Sequence, residues 1–383
     1  MLRVAHSAYF QGGGIGMYTV EVLRELGRSA DIDPYLICSP DFEWQRIPGV
    51  TTVPVLQSLH HPLPALRKAR FLKAQWSNPA RLLAQVGKLK LDILHLQSFH
   101  HLSFAQWAKP AARLPVKWVI SAHDIKRDVA IINKGWEDRQ LQASYRFADA
   151  VLVHSEFQRQ ELIQFARVKA DKVHLVPHGP YFYESTGETK EELRVSLGIP
   201  ASAEVALCFG QIRKDKNLET FLTALASSRT DTHLIVAGQP GGHHDGAEDY
   251  RSLSSKLGIQ DRVHFFFGHV RDEDVAKYFE AANWIALPYR TSFTSQSGVL
   301  NIAAQFELPV LVSNAPVLSE TVMVTGIGYA CDGDDVKELI HGIEKMQFFK
   351  DSIPSSAFLN YRDEYSWAKN AKTCASIYKE LVQ

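Results

Sequence analysis

The chain has 383 residues, 45% hydrophobic and 22% charged, with 42 basic and 42 acidic side chains. That length predicts more than one domain, and the composition excludes collagen-like, coiled-coil and largely disordered chains. No apolar run approaches the roughly 20 residues of a membrane-spanning helix, and the opening Met1-Leu2-Arg3-Val4-Ala5-His6 reads as a first strand rather than a secretion signal.

Charge is uneven along the chain. Residues 1–180 carry a net +8 and residues 181–383 a net −8. The asymmetry suggests different partners for the two halves, or two domains that attract each other. No nucleic-acid partner is expected. Cys38, Cys208, Cys331 and Cys374 are scattered with no Cys-x-x-Cys pair. A structural zinc or redox site is therefore not expected, and a reducing, cytoplasmic setting fits.

In chain order, residues 2–8 are strand-like, residues 11–16 glycine-rich, and residues 18–26 helical in spacing through Val22, Leu23 and Leu26. Further strands are expected at 35–38, 93–96, 116–121, 150–154 and 173–176, with helices at 136–147 and 157–165 between some of them. Residues 177–200 change character and read as a linker. The rhythm then restarts, with strands at 204–209, 233–237, 263–267, 284–287 and 310–313. Helices are expected at 217–226, 250–257, 273–282 and 297–306. Alternating strands and helices predict parallel sheets covered on both faces. The fold class is therefore α/β, with two Rossmann-like, doubly wound domains facing across a cleft. Ligands in such sheets bind beyond the carboxyl ends of strands, at helix N-termini.

Three loops fall at such places. Gly12-Gly13-Gly14-Ile15-Gly16 follows the first strand, where glycine lets a backbone approach an anion at a helix N-terminus. It misses the dinucleotide fingerprint in both registers, because Met17 or Thr19 stands at the third glycine. Phe209-Gly210-Gln211-Ile212-Arg213-Lys214-Asp215-Lys216-Asn217 ends a strand in the second half. Its Arg213 fork and Lys216 point charge suit a diphosphate. Pro288-Tyr289-Arg290 leads through Ser295 and Gln296 to Ser297-Gly298-Val299, whose hydroxyls and free amides can hold phosphate or sugar oxygens. Each has a plainer reading as a solvated turn or capped helix. His123-Asp124 ends another strand, where a histidine can act as acid, base or hydrogen-bond partner. The pairs His60-His61, His100-His101 and His243-His244 lack metal-ligand spacing and read as loop residues.

Residues 44–91 hold eight Lys or Arg and no Asp or Glu. Within them, residues 65–76 read as a helix with Leu66, Ala69, Leu72 and Trp76 along one side and Arg67, Lys68, Arg70 and Lys73 mostly off it. Such a helix, in the segment 65–90, suits an anionic membrane surface. The alternative is a helix packed on its own domain with a solvated basic face.

In this order, these segments resemble glycosyltransferase family 4, the retaining group 1 glycosyltransferases of GT-B fold, over nearly the whole chain. The resemblance is carried by the Gly12–Gly16 loop, Ser121-Ala122-His123-Asp124, the run from Ala148 to Glu156, Val173 to Gly179, Phe209 to Asn217 and Leu287 to Val310. It implies transfer of a sugar from a UDP- or GDP-linked donor to a saccharide or lipid-linked acceptor, as in cell-envelope or exopolysaccharide assembly, with no metal or other cofactor. It further implies an N-terminal domain over 1–180 with the C-terminal helix 366–383 packed back on it, and a nucleotide-sugar-binding domain over 181–365. Arg213 and Lys216 match the cationic pair for the diphosphate, and Ser297, Gly298 and Val299 the loop and helix start beside it. Ser295 and Gln296 precede that start. Gly13 and Gly14 would approach the phosphate, and His123 the transferred sugar. A peripheral position on the inner membrane face is expected.

One departure stands out. The family often shows two Glu separated by seven residues. Counted back from Leu308-Pro309-Val310, those positions are Ser295 and Ala303. A non-catalytic protein of the same fold is therefore a second reading. A nicotinamide-dependent oxidoreductase is a third, disfavoured by the broken glycine fingerprint.

Overall fold

The computed structural model describes residues 1–9, 13–59, 61–98, 100–126, 130–241 and 247–383. Gly12, His60, His243 and His244 lie outside them. The chain forms two compact units, one of residues 1–179 with 365–383, the other of residues 180–364.

The first unit contains β1 (Leu2–Ala8), β2 (Ile32–Cys38), β3 (Thr51–Pro54), β4 (Ile93–Leu96), β5 (Lys117–Ser121), β6 (Ala150–Val153) and β7 (Val173–Leu175). They form one sheet in the order β3-β2-β1-β4-β5-β6-β7, every pair parallel. The second unit contains β8 (Val205–Phe209), β9 (His233–Gly238), β10 (Val263–Phe267), β11 (Trp284–Leu287), β12 (Val310–Ser313) and β13 (Gly328–Cys331). Their order is β10-β9-β8-β11-β12-β13, again all parallel. Both sheets reverse direction of growth beside their first strand. Each unit is thus a doubly wound, Rossmann-like α/β sheet. Central strands such as β6 and β11 are short, apolar and wholly buried, as sheets covered on both faces require.

Several elements exceed the sequence expectation. The helix after β1 begins at Gly13 rather than residue 18. The basic helix runs over Pro64–Leu89, past an internal Pro79. Proline has no N–H to give the carbonyl four residues earlier, Gln75. The buried Ser103 hydroxyl donates to that oxygen instead. The edge strand β3, the last strand β13 and the helices Phe104–Ala111, Pro316–Thr325 and Val336–Phe349 were not anticipated.

The last helix, Trp367–Val382, is capped by Ser366, which accepts from the Lys369 N–H. Its buried residues Trp367, Asn370, Ala371, Cys374, Ile377 and Tyr378 share one face, and it packs on the Gly13–Leu26 helix. Asn370 donates to the Tyr18 hydroxyl at 2.9 Å and the Pro177 carbonyl at 2.6 Å. Among the described residues, no helix is long and apolar enough to cross a membrane.

In the second unit, Gly238 closes β9 with φ +146°, and a β-carbon built there would lie 1.9 Å from the Gly210 carbonyl oxygen. Backbone, not a movable side chain, is in the way. Gly238→Ala is therefore expected to cost about 3 kcal/mol or more of stability, read as a lowered urea midpoint.

Candidate active site

In the second unit, the loop after β8 is held as an extension of the sheet. Gly210 turns with φ +93°, its N–H donates to the Ala237 carbonyl, and Ile212 and Gly241 exchange bonds with the backbone of 239 and 212. A short 3-10 turn, Lys214–Lys216, follows. Asn217 then takes a left-handed φ of +56° and anchors the turn. Its amide donates to the Gly333 carbonyl at 2.6 Å, and its oxygen accepts from the Thr220 hydroxyl at 2.7 Å. The Arg290 N–H donates to the Asp215 carbonyl at 2.9 Å, which joins this loop to the one after β11.

These constraints place Lys216 Nζ against Tyr289. The ammonium donates to the Tyr289 hydroxyl and lies 3.8 Å from the ring centroid. The Tyr289 oxygen is 3.1 Å from Ser297 Oγ. Either hydroxyl of that pair can donate. Burial, with repulsion from Arg213, pushes the Lys216 ammonium down to about 7, against a partial offset from Asp215. Arg213 pairs with Asp215 through Nη2 at 2.8 Å. Its Nε is buried and has no partner among the described residues, an unusual cost for a charged donor. Cys208, Phe209, Gly210, Pro288 and Tyr289 line the hollow around Lys216.

Ser297 precedes the helix Gly298–Gln305 with extended backbone and makes no side-chain cap bond. The first-turn N–H groups of such a helix have no intrahelical acceptors and favour an anion. So Lys216, Arg213 and Ser297 are gathered about Tyr289, with Gly298 and Val299 opening the same helix. Ser295 and Gln296 are half-buried in the loop before it. Residues 291–306 contain no Asp or Glu. Tyr289 was named by sequence only as part of a loop. Its bridging role needs the spatial meeting of β8 and β11.

In the first unit, Gly13 and Gly14 open the helix Gly13–Leu26 and are exposed. Gly13 has φ +77°, and a β-carbon at either position would meet nothing within 4 Å. Backbone conformation calls for glycine at Gly13; lack of space calls for it at neither. His123, just beyond β5, is half-buried within a set of polar side chains from the ends of several strands. Its Nε2 is 3.3 Å from Gln97 Oε1 and its Nδ1 3.3 Å from His154 Nε2. Tyr18 meets the ring edge-on at 4.7 Å between centroids. Burial keeps His123 well below its ordinary value, with repulsion from His154 and His178 adding to it. Sequence reasoning missed Gln97 and the side chain of His154 as its neighbours, and His95 and Tyr378 in the network beyond Gln97. Polar residues closing otherwise apolar strands were the available signal. His100 and His101, read as loop residues, are buried.

A charged amine kept at about 7 makes stability depend on pH. The unfolded chain holds that proton to about 10.5 and the folded one releases it near 7. The unfolded state therefore binds more protons across that interval, and this group's contribution to stability rises with pH through it. Below pH 7 the penalty is present in full. Lys216→Met should abolish this component, so that its urea midpoint rises less between pH 7 and pH 9.5 than that of the unsubstituted protein.

Comparison with known proteins gives the family and the fold. Residues 12–179 match the family described as Glycosyltransferase Family 4, and residues 189–354 match Glycosyl transferases group 1. A D-inositol 3-phosphate glycosyltransferase of Corynebacterium diphtheriae is 24% identical over 396 residues, covering 97% of this chain and 90% of that protein. Among solved structures, sucrose-phosphate synthase of Thermosynechococcus elongatus superposes with a TM-score of 0.77 at 20% identity, over 100% and 99% of the two chains. HepE of Anabaena in complex with UDP superposes with a TM-score of 0.75 at 16% identity, over 99% and 100%.

Proposed function

Because the chain belongs to the family-4, group 1 glycosyltransferases, we propose that its second unit holds the diphosphate of a UDP- or GDP-linked sugar. The enzyme then passes that sugar, with retention at the anomeric carbon, to a saccharide acceptor. The observation that carries this reading is the Lys216 ammonium, buried against Tyr289 beside an unpartnered Arg213 Nε. A diphosphate supplies an acceptor for that Nε and an opposite charge for Lys216, whose neighbour Asp215 is paired with Arg213. As the anomeric bond to the diphosphate breaks, negative charge grows on the departing oxygen. Lys216 and Arg213 stabilise that charge, together with the free amides of Ser297, Gly298 and Val299. Ser295 and Gln296 border the same helix start. In the first unit, Gly13 and Gly14 offer exposed first-turn amides to phosphate, and His123 lies against the transferred sugar. The UDP-bound HepE structure supports a uridine donor.

The acceptor is a lipid-linked saccharide in our reading. The name of the corynebacterial relative favours a second one, an inositol phosphate. Support for a lipid-borne acceptor comes from the helix Pro64–Leu89. Its opening residues 65–70 are all exposed, including Arg67, Lys68 and Arg70. Leu63 just before the helix, and Leu66 and Trp76 within it, are 58%, 47% and 50% exposed. The apolar side of its first turns is thus not spent on its own unit. Basic and apolar side chains together suit the headgroup boundary of an anionic bilayer.

Two measurements test these readings. Lys216→Ala should lower transfer by roughly 2–4 kcal/mol of transition-state stabilisation, by analogy with losing one oxyanion donor. A diphosphate also draws a proton back onto Lys216, since the free amine is largely neutral above its value of about 7. UDP should therefore bind with proton uptake at pH 8, seen by calorimetry in buffers of different ionisation heat. Its affinity should fall from pH 7 to pH 9, and Lys216→Met should remove the uptake. Normal turnover by the alanine variant would remove the diphosphate role.

For the membrane, the protein should sediment with phosphatidylglycerol vesicles at low salt and be released at high salt. Leu66→Ala with Trp76→Ala should weaken that binding. Failure to bind at any salt would end the membrane reading and leave the donor chemistry untouched.

A further inference from the structure

Tyr289 is the fixed point between the loops after β8 and β11. It is buried at 2% exposure, and its ring meets Phe293 edge-on at 4.9 Å between centroids. Its carbonyl lies so close to Gly333 that a β-carbon there would stand 2.7 Å from the oxygen. The next residue, Arg290, donates its N–H to the Asp215 carbonyl at 2.9 Å. Ring and backbone are both held, so the phenol oxygen stands at one place. Two groups meet there, the Lys216 ammonium and Ser297 Oγ at 3.1 Å.

The second contact decides what Ser297 does. Serine is a preferred N-cap because its side-chain oxygen accepts an N–H of the first turn. Ser297 stands at that position before Gly298–Gln305 with extended backbone, φ −113° and ψ 113°, yet its side chain makes no cap bond. Its carbonyl accepts the Leu300 N–H at 3.1 Å. The backbone part of a cap is present and the side-chain part is withheld, because the hydroxyl is committed to Tyr289. A hydroxyl turned inward would occupy one of the N–H groups that an anion at this helix start needs. Lys216 depends on the same oxygen. The titratable groups around it are Arg213, Asp215, Cys208 and Tyr289. Asp215 is paired with Arg213, and burial pushes the Cys208 thiol up to about 12, so it stays neutral. Among the described residues, the phenol oxygen is the side-chain acceptor that Lys216 Nζ has.

We infer that Tyr289 is a positioning residue of the diphosphate site. Its one oxygen fixes the Lys216 amine and draws the Ser297 hydroxyl away from the helix Gly298–Gln305, which leaves the first turn uncapped for the ligand. Tyr289 acts through Lys216 and Ser297 and needs no contact of its own with the substrate. Calling that ligand a diphosphate rests on the function proposed above. The arrangement of the three side chains does not.

Tyr289→Phe keeps the ring and its packing and removes only the oxygen. UDP binding to the full-length protein, followed by calorimetry, should become about tenfold weaker, the scale of one hydrogen bond. Losing an acceptor also lowers the proton affinity of the amine. With a value of about 7, Lys216 takes up about half a proton when UDP binds at pH 7. In Tyr289→Phe that share should rise toward one. The ligand is the same in both proteins, so the difference belongs to the protein, and a role confined to packing would not move it. Adding Ser297→Ala to Tyr289→Phe should tighten UDP binding several-fold, because it removes the hydroxyl that had turned to cap the helix. Ser297→Ala alone should not tighten it. A folded Tyr289→Phe with unchanged UDP affinity and proton uptake would overturn the inference. So would a double variant that binds UDP no better than Tyr289→Phe. Lys216→Ala separates the two readings. If it weakens UDP binding and Tyr289→Phe does not, the positioning role alone falls; if neither does, the diphosphate reading falls with it.

Discussion

In the second unit, a half-buried lysine sets its ammonium against an aromatic ring. Lys216 sits where β8 ends, in contact with the face and hydroxyl of Tyr289. A phenol oxygen is a weak substitute for hydration or a carboxylate, and removing an ion from water is expensive unless an opposite charge repays it. The nearest acid, Asp215, spends its side chain on Arg213. A neutral methylene chain would pack at the same spot at lower cost. The left-handed Asn217 and the positive-φ Gly210 and Gly238 shape the loop that carries the cation.

The first unit solves a different problem with neutral groups. His6, His95, Gln97, Ser121, His154 and Tyr378 are all buried and reach one another through ring nitrogens and hydroxyls. Desolvation drives these imidazoles below their ordinary values, so the set has no charge to neutralise and only hydrogen bonds to satisfy. Such networks are worth little when incomplete and specify one arrangement when complete. The last helix belongs to it. Tyr378 closes the network and Asn370 ties Tyr18 and Pro177, so the chain's end is part of the polar core around His123.

Most strands could be read from the sequence because a strand covered on both faces is a short apolar run. What could not be read had physical reasons. Pro79 announces a break, and only the distant Ser103 hydroxyl removes its cost. Thr51–Pro54 is a half-exposed edge and Gly328–Cys331 opens on glycine, so neither shows a buried run. The cationic loop after β8 was legible because its charges lie close in sequence. Tyr289 lies 73 residues from Lys216 and was not. The histidine network joins positions as far apart as His6 and Tyr378, a pairing that only the strand order makes local.

The missing carboxylates of the loop after β11 also take on meaning in this setting. Residues 291–306 bring no acid to the Lys216 site, and the acids nearby are engaged elsewhere. Asp334 accepts from the Thr291 backbone and hydroxyl. It also sits 3.5 Å from Arg290, with Glu219 at 3.8 Å from the same guanidinium. A carboxylate beside Lys216 would have raised its proton affinity and competed with a diphosphate for it. Its absence leaves the ammonium dependent on the ligand. The cost falls on recognition of the donor's hydroxyls, which an ionised acid would have met as a strong acceptor. Neutral groups must meet them instead.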